Sequence, residues 1–404
     1  MSVPDLLTIR QCLSLLPLED FSAPCLDYGV RKLNSVGLMK VFIIAQLCKW
    51  EDLRRIQLEV EADPLLQQEI GCSISASQLS RRIEHFPSCV LEALCHSIIL
   101  RIRQTAASQK KLPKEPLFIV DSTNLRLPHQ LADWTYVTKH RSGVKVHTRL
   151  AVLSDGSCFP DKIVPSTGNV SDYEGSDLLV TDANATYLLD RGYVSYRRMD
   201  RWLLQECRFV LRINGHHAIK QVLLETATDP SDSLLLRDAI VYLGGSFRWM
   251  EHPVRLVEFH DEQGRLYRIA TSRFDLSARE IANLYRQRWQ IELFFKWMKQ
   301  HLKFATLYSY KPQAVWNHIL LAMTAYCLMF LIRMTAKSPK TTWELLRLLR
   351  VYAFRNWEAF QKAMNKPVKR KTKGRQRRKE PPEPLKAKSC HVALVKPSKK
   401  QRQL

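Results

Sequence analysis

Apolar and polar positions change their period along the chain, and the change divides it. Across residues 37–50 and 88–102 apolar side chains recur at helical spacing, so residues 1–104 are expected to form a helical N-terminal domain. Between these runs, Ser75-Ala-Ser-Gln78 has the form of a capping box and predicts a short helix to about His85. That helix would present Gln78, Ser80, Arg81 and Arg82, side chains that can read base edges in a major groove or merely solvate a surface. A polar, basic, proline-bearing stretch at 105–116 marks a boundary. The period then shortens: β-branched runs at 117–120, 144–153, 159–164, 187–189 and 209–213, with a helix-like stretch at 195–206, predict an α/β core over 116–213, a mixed sheet flanked by helices. Short runs at 234–243, 247–250, 254–260 and 266–271, separated by Gly, Pro and Asp, read as an all-β insertion over 214–275. Helical periodicity returns over 276–365, with expected helices at 281–304, 316–334 and 343–364. The apolar run at 319–332 is 14 residues long, which suits a buried helix better than a membrane span.

Composition narrows the picture. The 404 residues, 46% of them hydrophobic, suffice for two or three domains and a sizeable core. Ten cysteines without a single C-x-x-C pair argue against a zinc ribbon and a disulfide-stapled secreted domain, and read as reduced intracellular thiols. The first residues carry no basic segment followed by an apolar one, so export is not expected. Lys and Arg number 62 against 39 Asp and Glu, a net charge of +23. Residues 366–404 hold 15 basic and two acidic residues, with Pro381, Pro382 and Pro384 among them, and are expected to be a disordered basic tail. The rest of the chain is basic as well, and such a surface releases counterions on meeting a polyanion. Charge alone leaves a solubilising tail on an ordinary basic enzyme equally open.

Two aspartates end apolar runs: Asp121 in Phe118-Ile-Val-Asp-Ser and Asp190 in Tyr187-Leu-Leu-Asp-Arg-Gly. A carboxylate at the end of a buried strand is held rigidly at the rim of a sheet, although Asp there also starts turns. In Tyr285-Arg-Gln-Arg288-Trp-Gln-Ile-Glu292-Leu-Phe-Phe-Lys-Trp-Met-Lys299, positions 285, 288, 292 and 299 fall within roughly 60° of one another on a helix, opposite Ile291, Phe294, Trp297 and Met298. One carboxylate flanked by cations would thus occupy a polar stripe. Three converging carboxylates are most easily kept ionised by a divalent cation, and hard oxygen ligands suit Mg²⁺ or Mn²⁺ better than zinc.

With Asp121, the Asp190-Arg-Gly-Tyr193 stretch and the spacing of Tyr285, Arg288, Glu292 and Lys299, the chain over about residues 30–335 resembles the bacterial insertion-sequence transposases of the DDE class, in the family-four group with a Y-R-E-K signature. The resemblance implies a ribonuclease-H-like core interrupted by a β insertion, with Asp121, Asp190 and Glu292 as catalytic metal ligands for Mg²⁺, for which Mn²⁺ can substitute. It implies two-metal phosphoryl transfer: hydrolysis at the element's ends, then attack of the 3′-hydroxyl on target DNA. It further implies contacts of Tyr285, Arg288 and Lys299 with terminal DNA, a dimer in the DNA complex, and action on bacterial nucleoid DNA in the cytoplasm with no membrane partner. Gly192 and Tyr193 match the second motif. Trp249 is a candidate base-stacking residue that the motif does not place. The alternatives are a metal-dependent nuclease that does not rejoin ends, and a transposase-derived DNA-binding protein without catalysis, which the intact acidic positions disfavour.

Overall fold

The computed structural model describes residues 7–138, 141–226 and 234–367. The expected disorder of the 366–404 tail lies, beyond Pro367, outside the described residues, and residues 7–366 fall within one compact unit.

The N-terminal segment is helical as the periodicity predicts: α1 (Thr8–Leu13), α2 (Ser35–Cys48), α3 (Leu53–Ala62), α4 (Pro64–Ile70), α5 (Ala76–His85) and α6 (Ser88–Ser108). The Ser75/Gln78 capping box forms and starts α5. The four side chains expected on the exposed face of α5 need correction, because three of them are spent inside the protein. Gln78 closes the capping box, Ser80 donates to Glu84 (3.0 Å), and Arg82 bonds the Leu33 carbonyl (3.0 Å) and Asp27 (2.9 Å). Arg81 remains exposed.

The chain then builds β1 (Leu117–Leu127), β2 (Tyr136–Thr138), β3 (Arg141–Val152), β4 (Cys158–Thr167), α7 (Asp172–Leu179), β5 (Thr186–Leu189), α8 (Tyr196–Leu204), β6 (Arg208–Ile213), β7 (Ile219–Thr226), β8 (Leu235–Leu243), β9 (Val254–His260) and β10 (Leu266–Thr271). These strands form one mixed sheet in the order β2-β3-β1-β5-β6-β10-β9-β8-β7, with β4 also paired to β3. Only β1–β5 and β5–β6 run parallel. The described residues of 214–275 carry β7–β10, which extend the central sheet edge to edge through β10 and β6. Residues 247–250 form no strand, only a bridge between Gly244 and Trp249.

Five helices complete this unit: α9 (Ala278–Arg286), α10 (Trp289–His301), α11 (Pro312–Thr335), α12 (Thr342–Tyr352) and α13 (Trp357–Asn365). Two expected continuous helices are broken. Residues 281–304 divide at Gln287–Arg288, where amide bonds to the third residue back (Gln287 to Leu284, Arg288 to Tyr285, both 3.0 Å) overwind the chain and shift the phase of α10 relative to α9. Residues 343–364 divide before Asn356, because the amides of Thr8 and Ile9 take the carbonyls of Arg355 and Ala353 that a longer helix would have used internally.

The sheet is covered on both faces. Phe118, Val120, Tyr187, Leu189, Phe209 and Leu211 pack with α7 and α8, while Ile119, Leu188 and Val210 between them face the core shared by α1–α6 and α9–α13. This alternation is what a sheet buried on both sides requires. α11 is long and apolar enough to cross a membrane, yet its apolar stretch is 94% buried, chiefly by α2, α5, α6 and β4. Within that core, His318 Nε2 donates to the Lys303 carbonyl (2.6 Å), and burial pushes the imidazole down to about 4.

A histidine neutral in the fold at pH 5 but protonated in the unfolded chain makes stability fall as pH falls from about 6.5 towards 4, by about 1.4 kcal/mol per pH unit. Urea unfolding across that window should show this contribution together with a like one from His147, which burial also holds at about 4, and His318→Gln, which keeps a donor and cannot charge, should lower the slope by about 1.4 kcal/mol per pH unit.

Candidate active site

Strand parity brings the carboxylates together. Asp121 follows Ile119 on β1, and Asp190, whose backbone is still extended, follows Leu188 on β5, so both lie on the face covered by α9 and α10. Val120 pairs with Leu189 in the parallel register, which makes Asp121 and Asp190 the next pair along. There the strands part. β1 continues against β3, whereas the chain after Asp190 turns through Arg191–Tyr193. A crevice beyond the carboxyl ends of parallel strands is where open α/β sheets bind ligands.

The other expected residues reach the same point from the helices. Tyr285 Oη donates to Asp190 Oδ1 (3.3 Å). Arg288 at the start of α10 spans two acids: one guanidinium nitrogen is 3.6 Å from Asp121 Oδ2, and another bonds Glu292 Oε1 at 2.5 Å. Lys299 Nζ donates to the Asn124 carbonyl on β1 (3.4 Å). The expected single helical stripe is divided by the break between α9 and α10. Tyr285 lies on the buried face of α9 with Ala278 and Ile281, Arg288 is buried at the start of α10, and Glu292 and Lys299 share a face of α10. Ile291, Phe294 and Met298 occupy the buried face as expected.

Burial pushes the Asp121 carboxyl up to about 6, against the pull of the Ser122 amide and of Arg288. Beneath the acids, the Tyr193 hydroxyl is buried with no hydrogen-bond partner among the described residues, and burial holds its proton well above the usual tyrosine range, with Asp121, Asp172 and Asp190 adding to the effect. Among the described residues no three His, Cys, Asp or Glu side chains are arranged to hold a metal ion, and Arg288 sits between Asp121 and Glu292 in the role of counter-cation. The donor set is nevertheless all hard oxygen, with an orphaned hydroxyl beside it and a carboxyl whose proton a cation would displace. These residues fit Mg²⁺ or Mn²⁺ and do not suit zinc.

Asp172, at the first position of α7, escaped sequence reasoning. It accepts from Ser122 Oγ (2.6 Å) and pairs with Lys145 (3.2 Å). The Ser171/Glu174 capping box signals the helix, but nothing in the sequence says which strand its first carboxylate meets. From Tyr173 and the residues after Tyr193 an open groove of about 1100 Å³ runs out, lined by Tyr196, Arg197, Arg201, Phe247 and Trp249 among others. Phe247 is almost fully exposed, and the Lys220 ammonium stands 3.2 Å from the centroid of Trp249.

A mixed α/β sheet flanked by helices, with aspartates just past the parallel pairing of two adjacent strands, Asp121 within β1 and Asp190 after β5, and a glutamate brought in by a later helix, is consistent with a ribonuclease-H-like DDE domain. Residues 112–328 match the family described as Transposase DDE domain, so the chain belongs to that family and is a DNA transposase. It is 28% identical over 314 residues, 78% of this chain and 80% of the other, to a protein of Geobacillus stearothermophilus named as a transposase for insertion sequence element IS5377. Similarity extends to transposase y4zB of Sinorhizobium fredii, at 28% over 57% of this chain and 64% of that protein. A Synechocystis protein named as a transposase for insertion sequence element IS4SA is 23% identical over 63% of this chain and 72% of its own length. These relatives agree with the bacterial insertion-sequence DDE class, and the family-four group is consistent with them.

Removing Arg288 leaves Asp121 and Glu292 as like charges without their shared partner. Arg288→Ala should cost about 2–3 kcal/mol in urea unfolding at neutral pH, less than a fully buried pair would because Glu292 is partly solvated. Arg288→Lys should recover under half of that, since one ammonium cannot span both acids.

Proposed function

We propose that the protein binds the terminal inverted repeats of its own insertion sequence, cleaves double-stranded DNA at the element's ends and joins the freed 3′-hydroxyls to target DNA. The observation that carries this reading is the side-by-side placement of Asp121 and Asp190 with Glu292 tied to Asp121 through Arg288. Asp121, Asp190 and Glu292 would hold Mg²⁺, with Mn²⁺ able to substitute; when bound, the ions supply an activated water or 3′-hydroxyl and charge neutralisation at the phosphate. The protein's own residues do the rest. Tyr285 fixes the orientation of Asp190 through its hydroxyl. Arg288 holds Asp121 and Glu292 together and would present its planar fork to a phosphate of the terminal DNA. Lys299, exposed at the rim beside β1, takes a second phosphate.

The groove along α8, which begins at the turn after Asp190, suits a DNA strand, with Arg197 and Arg201 towards phosphates and Phe247 and Trp249 towards bases. The helical residues 1–104 contribute end recognition, with Arg81 as the exposed cation of α5, and the net charge of +23 adds salt-sensitive affinity along the duplex. Two chains act on two ends, on nucleoid DNA in the bacterial cytoplasm.

Incubation of labelled duplexes carrying the element's terminal repeats with protein in Mg²⁺ should produce nicks at the repeat boundary and then joined products. EDTA should abolish both, scrambled duplexes should not be cut, and Asp121→Ala should lower the rate by about a hundredfold or more while still binding the repeats. Cutting without joined products would establish the nuclease reading, and tight binding without cutting in Mg²⁺ or Mn²⁺ the DNA-binding one.

A further inference from the structure

The face of β1 opposite the acids carries a second polar cluster that the proposed reaction does not use. Ser122 points away from Asp121, towards α7, where its hydroxyl donates to Asp172 Oδ1 (2.6 Å). Lys145, opposite Asn124 on β3, pairs with the same oxygen (3.2 Å), and its side chain is only 11% exposed. His147, opposite Ser122, continues the row, fully buried, with Nε2 3.0 Å from Ser166 Oγ. The second Asp172 oxygen faces the Asp190 turn, where a Cβ added at Gly192 would stand 3.2 Å from Asp172 Oδ2. Glycine at 192 therefore has a reason that is not torsional, because the turn passes close against Asp172. The buried Tyr193 hydroxyl, without a partner among the described residues, belongs to this same turn.

One carboxylate thus stands beside both segments that carry the catalytic aspartates: it bonds β1 at Ser122, next to Asp121, and it leaves little room for a Cβ at Gly192 in the turn after β5, two residues from Asp190. We propose that Asp172 is a positioning residue for the reaction, holding Asp121 and Asp190 at their spacing from the opposite face of the sheet. This rests on the metal-dependent function proposed for the acids. Outer groups that orient metal-binding carboxylates are commonly worth about 10–100-fold in metal affinity or activity. Two motifs distant in sequence, Ser171-Asp-Tyr-Glu174 and Asp190-Arg-Gly-Tyr193, are on this view a single device.

The test uses the full-length protein and four variants: Asp172→Ala, Asp172→Asn, Ser122→Ala and Gly192→Ala, with the Asp172→Ala/Gly192→Ala pair. Mn²⁺ binding to the DNA-free protein is measured by calorimetry, terminal-repeat binding in EDTA by mobility shift, and single-turnover cleavage in Mn²⁺ at saturating protein. Asp172→Ala should weaken Mn²⁺ binding and slow cleavage about tenfold or more with repeat binding in EDTA unchanged, and Asp172→Asn, which still accepts from Ser122, should recover most of the loss. Gly192→Ala should be impaired by itself yet add nothing in the Asp172→Ala background. If Asp172→Ala does not fold, Ser122→Ala carries the comparison with a smaller loss of the same pattern. Mn²⁺ affinity and cleavage within twofold of wild type in the Asp172 and Ser122 variants would overturn the proposal, as would a loss confined to repeat binding. A wild-type protein that binds repeats but never cuts them defeats the activity reading instead, and the Mn²⁺ titrations then decide Asp172 on their own.

Discussion

The site depends on the fork of a single guanidinium. Asp121 is deep enough at the rim of the sheet that burial disfavours its charge, and Glu292 arrives from a helix that would otherwise have no reason to bring a second carboxylate near it. Arg288 resolves both problems by spanning the two acids. A lysine could neutralise either but not both at these separations, because it offers one centre of charge where arginine offers a planar pair of nitrogens. The same contact fixes how α10 docks on the sheet.

How much of this is legible in the sequence varies with the range of the interaction. Local signals are faithful. The Ser75/Gln78 capping box starts α5, and the alternation in 117–120, 187–189 and 209–213 marks the strands whose ends carry Asp121 and Asp190. Asp121, Asp190, Tyr285, Arg288 and Glu292 lie together where the parallel pairing of β1 and β5 stops, and Lys299 bonds β1 further along, at the Asn124 carbonyl. Misreadings arise where a distant partner overrides a local pattern. Residues 281–304 keep a helical hydrophobic period throughout, so the pattern does not mark the break at 287–288, beside which Tyr285 and Arg288 meet Asp190 and Asp121. The break before Asn356 comes from amides near the start of the chain. Arg82 reads as a surface cation because its acceptors lie about 50 residues upstream, at Leu33 and Asp27. Asp172 is invisible for a related reason: first-turn acids are common at helix starts, and only the fold shows that this one lies behind the strand that carries Asp121.

β1 illustrates how a strand buried on both faces can carry two kinds of chemistry on neighbouring residues. Asp121 looks towards the helices and the proposed reaction, and Ser122 looks towards a structural polar cluster under α7. Period-two alternation usually divides apolar from polar, but here both faces turn polar at the same level of the sheet, just where the parallel neighbour ends. The sheet can tolerate this because both residues find partners: Arg288 on one side, Asp172 and Lys145 on the other.

The long buried helix α11 has a consequence for the way the protein is made. Its side chains complete the core that α2, α5 and α6 begin, and individual contacts span long stretches of chain, as between Ser88 and Asn317, 229 residues apart. On a ribosome adding roughly 5–20 residues per second, the apolar faces of the N-terminal helices wait on the order of ten seconds or more before the segment that covers them has been synthesised. Until then the nascent chain shows an incomplete core, so chaperones and proteases have a window in which to set how much transposase reaches its native state. The rate of synthesis through the intervening β-rich region thereby becomes a determinant of dosage, written into topology rather than into any regulatory site.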